Sequence, residues 1–208
     1  MEEAYAIRVK FLGPDHYDVS SALNSLGIIY FNEGYIEESI RHFKNCLSIR
    51  ERCEKMTDRD RTNVLYNLAS SYWEIEDWEH AQECYERCIT LENKCSDRRP
   101  LDVISCLMRL GTIHQILNRL DNALETFQQA VQLYPEEESS QSPSELAKLF
   151  AIIGNIHLTK GEGEIALQYF VRAIEANRAA GLSDYENLLV DKNIVNGLKK
   201  QYPKVAAI

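Results

Sequence analysis

Glycine and proline are scarce in this chain, at nine and five of 208 residues. A turn-rich all-β fold draws heavily on both, so that class is disfavoured. No apolar run approaches the roughly 20 residues that a membrane-spanning helix needs, and no membrane insertion is expected. The opening Met1-Glu2-Glu3-Ala4-Tyr5 is acidic and lacks the basic start and apolar middle of a secretory signal. Positive charge is in deficit: 23 Lys and Arg face 32 Asp and Glu, for a formal net charge of −9. Proteins that hold nucleic acid neutralise phosphates with a basic surface, so nucleic acid is not expected as a partner. Six cysteines occur without a Cys-x-x-Cys pair. In a long, helically patterned chain with no leader they are expected as reduced thiols of a cytoplasmic protein.

What the chain does contain is repetition. A small residue preceded by a branched apolar one appears as Leu26-Gly27, Leu68-Ala69, Leu110-Gly111 and Ile153-Gly154, at intervals of 42, 42 and 43. Three residues after each small residue comes a ring: Tyr30, Tyr72, His114, His157. Twelve after it comes another small residue (Ser39, Ala81, Ala123, Ala166), and sixteen after it an aromatic (Phe43, Tyr85, Phe127, Phe170). Nineteen after it stands a third small column, Cys46, Cys88, Ala130 and Ala173. Each copy therefore holds two segments with apolar residues at helical spacing, separated by breakers such as Asn32-Glu33-Gly34 and Lys160-Gly161. Small residues let two helix axes approach, and the ring from the opposite helix fills the space beside them. Asp18, Asp60 and Asp102 recur at intervals of 42 and are expected just before the first helix of each copy, as caps or first-turn acids; Ser144-Glu145 takes that place in the fourth.

This pattern resembles the tetratricopeptide repeat. The usual period of that repeat is about 34 residues, and the 42-residue period here resembles the kinesin light chain type. The segment from Ile7 through Gly13-Pro14-Asp15-His16-Tyr17 to Val19 is similar to that family's linker, and Leu47-Ser48-Ile49-Arg50-Glu51-Arg52 to its second helix. The resemblance implies an all-α, tetratricopeptide-type α-solenoid, a right-handed superhelix of antiparallel helix pairs. The expected organisation is one solenoid domain over 1–208. It has a half-repeat helix and linker at 1–17, repeats at 18–59, 60–101, 102–142 and 143–182, and a capping helix and tail at 183–208. Helix pairs are expected near 18–55, 60–97, 102–137 and 143–180. Ala4 falls in the third small column, so residues 1–12 read as a second helix without its first. In the tail, Tyr185, Leu188, Leu189, Ile194, Val195 and Leu198 are candidates for the cap.

No residue set marks catalysis. His114 and His157 sit in the ring column and read as packing residues, and the His-Glu-x-x-His signature is absent. The cysteines Cys46 and Cys88, like Cys53 and Cys95, are 42 apart and therefore lodge in different repeats rather than converging on a metal. Gly161-Glu162-Gly163 lacks the third glycine of a dinucleotide loop. No enzyme activity, metal or cofactor is expected.

The resemblance implies that first helices line a concave groove that holds another protein as an extended peptide. Carried over residue by residue, the groove positions include Asn24 and Phe31 in the first copy, and Tyr66, Asn67 and Trp73 in the second. The third offers Met108 and Arg109, and the fourth Asn155. Ile28, Asn32, Asn63, Ser70, Glu74 and Ser105 stand at further groove offsets. Amides suit a peptide backbone and the large apolar groups suit side-chain anchors. The carboxylate clamp that some of these domains use on chaperone tails is incomplete: Asn67 and Arg109 match, while Asn24, Ser105 and Ile28 depart from it. The leading expectation is thus a non-catalytic adapter that binds an extended segment of a partner protein. The alternatives are a scaffold segment acting through neighbouring domains or self-association, which the half-repeat favours, and a regulatory domain of an enzyme.

Overall fold

The computed structural model describes residues 2–53, 56–95, 97, 99–134, 143–185, 188 and 190–205. Among the described residues the secondary structure is ten helices: α1 (Glu2–Leu12), α2 (Tyr17–Asn32), α3 (Ile36–Arg52), α4 (Asp58–Glu74), α5 (Trp78–Glu92), α6 (Pro100–Ile116), α7 (Leu120–Gln132), α8 (Pro143–Thr159), α9 (Gly163–Ala179) and α10 (Lys192–Gln201). The fold is all-α, of the tetratricopeptide-solenoid type. Contacts divide the chain into two compact units, Met1–Ile113 and His114–Ile208.

In the first unit α2 pairs with α3 and α4 with α5, and α3 also packs on α4. The small columns are what bring the pairs together. A Cβ added to Gly27 would lie 2.5 Å from Cε1 of Phe43, so the ring occupies the space a side chain would take. Ala69 and Tyr85 meet the same need in the second pair, both 0 % exposed. A buried pair of hydroxyls, Ser39 Oγ and Ser71 Oγ at 3.0 Å, joins the first repeat to the second. Cys46 and Cys88 are fully buried and donate weakly to the carbonyls of Ser20 and Thr62; all six cysteines are free thiols.

The recurring aspartates lie inside the first turns rather than before them. His16 caps α2, its Nδ1 accepting from the Asp18 amide. Thr57 caps α4 in a capping box, with Asp60 as its third helical residue reaching back to the Thr57 amide at 3.0 Å. The cap needs a side chain in extended backbone, and the acid then completes it from one turn on.

The turns inside the repeats share a device. Gly34, Glu76, Asn118 and Gly161 stand at one repeat position, and all four adopt the left-handed conformation, with φ of 83°, 58°, 55° and 80°. Glycine enters that region without cost, whereas a Glu Cβ is held there against about 1–2 kcal/mol. Glu76→Gly is therefore expected to stabilise the chain by about 0.5–1 kcal/mol, raising the melting temperature by a few degrees at most. A melting temperature that falls would contradict it.

A second shared feature lies twenty-three residues after the small column. Arg50, Glu92, Tyr134 and Asn177 are all buried despite their polarity. Arg50 donates to Ser20 Oγ and to the Asp60 carbonyl. Tyr134 donates to Glu145 at 2.9 Å and Asn177 to the Ser183 carbonyl at 3.2 Å. The bonds from Arg50 to Asp60, from Tyr134 and from Asn177 each tie the end of a second helix to the chain that follows it, while the Arg50–Ser20 bond runs back to α2.

The first unit opens with α1, which packs on α2 but buries none of its residues. It is fastened by polar ties: Arg8 donates to the Asp18 carbonyl at 3.0 Å, and the Tyr30 hydroxyl to Glu2 at 2.5 Å. Tyr30 also stacks on His42, ring centroids 5.1 Å apart. Both nitrogens of the buried His42 lack hydrogen-bond partners, and burial, then the Arg41 charge, pull its pKa below the ordinary 6.5 against the opposing Glu2 and Glu38. A lowered folded pKa means that the native state prefers the neutral ring. Stability is then full above pH 6.5 and is lost as pH falls from there towards the folded pKa. His42→Phe should keep the stack and flatten that loss between neutral and mildly acidic pH, read as urea midpoints. An unchanged slope would rule His42 out as its source.

In the second unit α8 pairs with α9, α7 packs on α8, and α10 on α9. Gly154 repeats the close approach seen at Gly27, its added Cβ 2.6 Å from Phe170. The tail caps this core with Leu188, Val195, Leu198 and Val205. Tyr185 precedes the capping helix, Ile194 points outward, 42 % exposed, and Leu189 lies outside the described residues. The ring slot of the first repeat recurs with its members exchanged: here the histidine, His157, stacks on Tyr169 at 5.4 Å.

Candidate functional site

The first helices of the first unit border two adjoining clefts. One, of about 480 Å³, runs over the C-terminal halves of α2 and α4. Its sides are Ile28 and Phe31 of α2, Tyr66, Ser70 and Trp73 of α4, and Arg109 of α6, and the core rings Phe43 and Tyr85 form its floor. The other, of about 500 Å³, lies towards the N-terminal ends and is bordered by Asn24, Asn63, Arg99, Asp102 and Ser105. Tyr66 and Asn67 line both, so the two form one trough.

Helical phase explains which groups reach it. Tyr72 turns inward, is buried and stacks on His80 at 4.9 Å. Trp73, one residue on, turns into the trough and is half-buried. Trp78 supports it edge-on at 5.2 Å. The Arg109 guanidinium lies 4.9 Å from the Trp73 ring centroid. At that distance the cation is drawn to the ring face, and the Arg109 side chain is itself exposed. Asn67 donates to Asn24 at 3.4 Å, a weak tie from α4 to α2 that a better acceptor can replace. Tyr66 stands edge-on to Tyr85 at 5.8 Å, and burial pushes the Tyr85 phenol well up. The trough thus presents neutral amides and aromatic faces together with the charged side chains of Glu74, Arg99, Asp102 and Arg109.

Of the residues singled out from sequence, Phe31, Tyr66, Asn67, Trp73 and Arg109 line the 480 Å³ cleft, and Asn24 joins Tyr66 and Asn67 in the other. Met108 is half-buried on α6 and lines neither. Asn155 lies on α8 in the second unit. Arg99 and Asp102 border the trough without having been anticipated. Both fall at the entry to α6, where no groove offset pointed.

The profile of the family described as tetratricopeptide repeat matches residues 18–94 and 60–136, more than half of the chain. The chain belongs to that family. Its repeats are of the kinesin light chain type. Protein KINESIN LIGHT CHAIN-RELATED 1 of Arabidopsis thaliana is 24 % identical over 165 residues, which cover 79 % of this chain and 27 % of the relative. The chain thus spans about a quarter of that protein's length. Among solved structures, MamA is similar with a TM-score of 0.64 at 19 % identity, over 86 % of this chain and 88 % of that one. BtubC (BKLC) from P. vanneervenii gives 0.59 at 16 %, over 99 % and 86 %. Aspartyl phosphate phosphatase F from Bacillus subtilis gives 0.66 at 13 %, over 90 % and 50 %. At these identities the likeness is one of fold.

Proposed function

We propose that this chain is a non-catalytic protein-interaction scaffold whose first-helix trough holds an extended segment of a partner protein. The observation that carries the reading is the Arg109 guanidinium over the Trp73 ring on the wall of a 480 Å³ cleft. A half-buried tryptophan beside a cation, above a floor of aromatic rings, suits a side-chain anchor next to an acid. The acid pairs with Arg109, the anchor enters between Phe31, Tyr66 and Trp73, and Asn24 and Asn67 exchange their mutual bond for bonds to the peptide backbone. Membership of the family supports the interaction role. No helix among the described residues is long and apolar enough to cross a membrane; a cytoplasmic setting belongs to the same proposal.

The test is affinity capture from cell extract with the wild-type chain and a Trp73→Ala, Arg109→Ala double variant, followed by titration of captured partners. Partners lost only from the variant are trough ligands. Equal capture by both, with partners lost instead on substituting second-helix residues, would overturn the trough reading.

A further inference from the structure

The second helices carry a pair of equivalent clefts, one in each unit. In the first, about 230 Å³ lies between α3 and α5, and Glu51 and Arg87 border it. Arg87 reaches across and forms an ion pair with Glu51. In the second unit, about 250 Å³ lies between α7 and α9, bordered by Gln128, Val131, Gln132, Ile153, Tyr169 and Arg172. Two repeats separate corresponding positions, so that Arg172 answers to Arg87, Gln132 to Ser48 and Gln128 to Lys44. The counterpart of Glu51 is Pro135. Among the described residues bordering it, the second cleft has kept the arginine and shows no acid.

Arg172 is held by rings instead. Its guanidinium lies 4.1 Å from the Phe150 centroid and 5.5 Å from that of Tyr169. Tyr169 is itself stacked on buried His157, whose Nδ1 is 2.5 Å from Glu162. These rings hold the cation beside the cleft. Among the described residues no carboxylate forms an ion pair with it. Arg172 is exposed, and the N–H fork of a guanidinium matches a carboxylate in two parallel bonds. Exposed Gln128 and Gln132 face it with donors and acceptors suited to a peptide backbone. Ile153 and Val131 give the cleft an apolar floor for a neighbouring side chain.

We propose that the α7–α9 cleft is a second docking site, in which Arg172 takes a glutamate or aspartate side chain from an acidic segment of a partner polypeptide. The partner's acid stands where Glu51 stands in the first cleft. The occupant is a peptide rather than a small anion because the amides and the apolar floor extend beyond the reach of one carboxylate. The site lies between second helices, with Ile153 of α8 in its floor, and shares no residue with the trough.

The test uses the full chain and two capped peptides, Ac-Gly-Leu-Glu-Leu-Glu-Gly-NH2 and its counterpart with Gln for each Glu, followed by NMR of side-chain N–H groups. The acidic peptide should shift Arg172 Nε–H and the Gln128 and Gln132 amides. It should bind at least about tenfold more tightly than the Gln peptide, as a charge-assisted bidentate pair requires. Arg172→Gln should abolish these shifts with helicity unchanged. Glu51→Gln releases Arg87 and should add a second set of shifts around it. No response at Arg172 with millimolar peptide would overturn the proposal, as would equal affinity for the two peptides. So would displacement by inorganic phosphate at the same concentration as peptide, which would make the site a reader of charge alone.

Discussion

Replacing Phe43 by Ala is expected to lower stability by about 3–5 kcal/mol, the range for deleting a buried aromatic ring. The ring is 1 % exposed and lies directly over Gly27. Its neighbours leave nothing to fill the hole. Gly27 has no side chain, and Ser39 and Cys46, the adjacent small residues of α3, are too short to collapse inward. The α2–α3 pair would lose the contact that sets its separation. Gly27→Ala alone should also destabilise, because its Cβ would collide with the ring. In the Phe43→Ala background the same substitution should recover part of the loss by filling the void. Urea unfolding followed by circular dichroism measures all three. A Phe43→Ala loss within about 1 kcal/mol, the centre of the range for ordinary substitutions, would mean that the helices close over the void and that the ring does not space them.

Trp73→Ala is expected to weaken partner binding at least about tenfold, which is about 1.4 kcal/mol. The indole contributes to the trough in two ways. It is a wall of the 480 Å³ cleft, and it is the ring over which the Arg109 guanidinium lies. Without the ring the guanidinium loses its aromatic neighbour, so the loss should exceed that of contact area alone and should fall on dissociation. Trp73→Phe keeps an aromatic platform and should restore part of the affinity. Helicity should barely change, because the residue is half-buried and the inward-facing neighbour Tyr72 carries the packing. Normal binding by Trp73→Ala, or loss of binding that follows loss of helix content, would count against the trough.

Much of this was legible in the sequence, because the period of 42 marks residues that must touch. Gly27 and Phe43, or Ala69 and Tyr85, are separated by one helix and one turn, and their small-against-large chemistry survives in every copy. The offsets that placed Tyr66, Asn67 and Trp73 along the trough follow from the same register. Where chemistry changes between copies, the signal fades. The left-handed turn position is occupied by glycine in two repeats but by Glu76 and Asn118 in the others, so composition hides it. The buried polar position holds Arg, Glu, Tyr and Asn in turn, four side chains with nothing in common except that each can form hydrogen bonds. Met108 was placed by offset alone, yet one residue of helical phase separates it from Arg109 and from the cleft. The significance of Arg172 depends on a residue two repeats away in the first cleft, Glu51, whose counterpart is a proline. That relation is invisible until both clefts are seen.

The polar ties at Arg50, Tyr134 and Asn177 bear on how the chain would respond to a pulling force. Each one links a helix end to backbone or side chain only six to eleven residues further on. Such short links carry tension along the strand locally instead of sharing it across a sheet. Under load they part in sequence, and each repeat released adds roughly 140–150 Å of extended chain, from about 3.3–3.6 Å per residue over one period. A chain built this way is expected to yield repeat by repeat rather than in a single step, and to re-form from either neighbouring repeat.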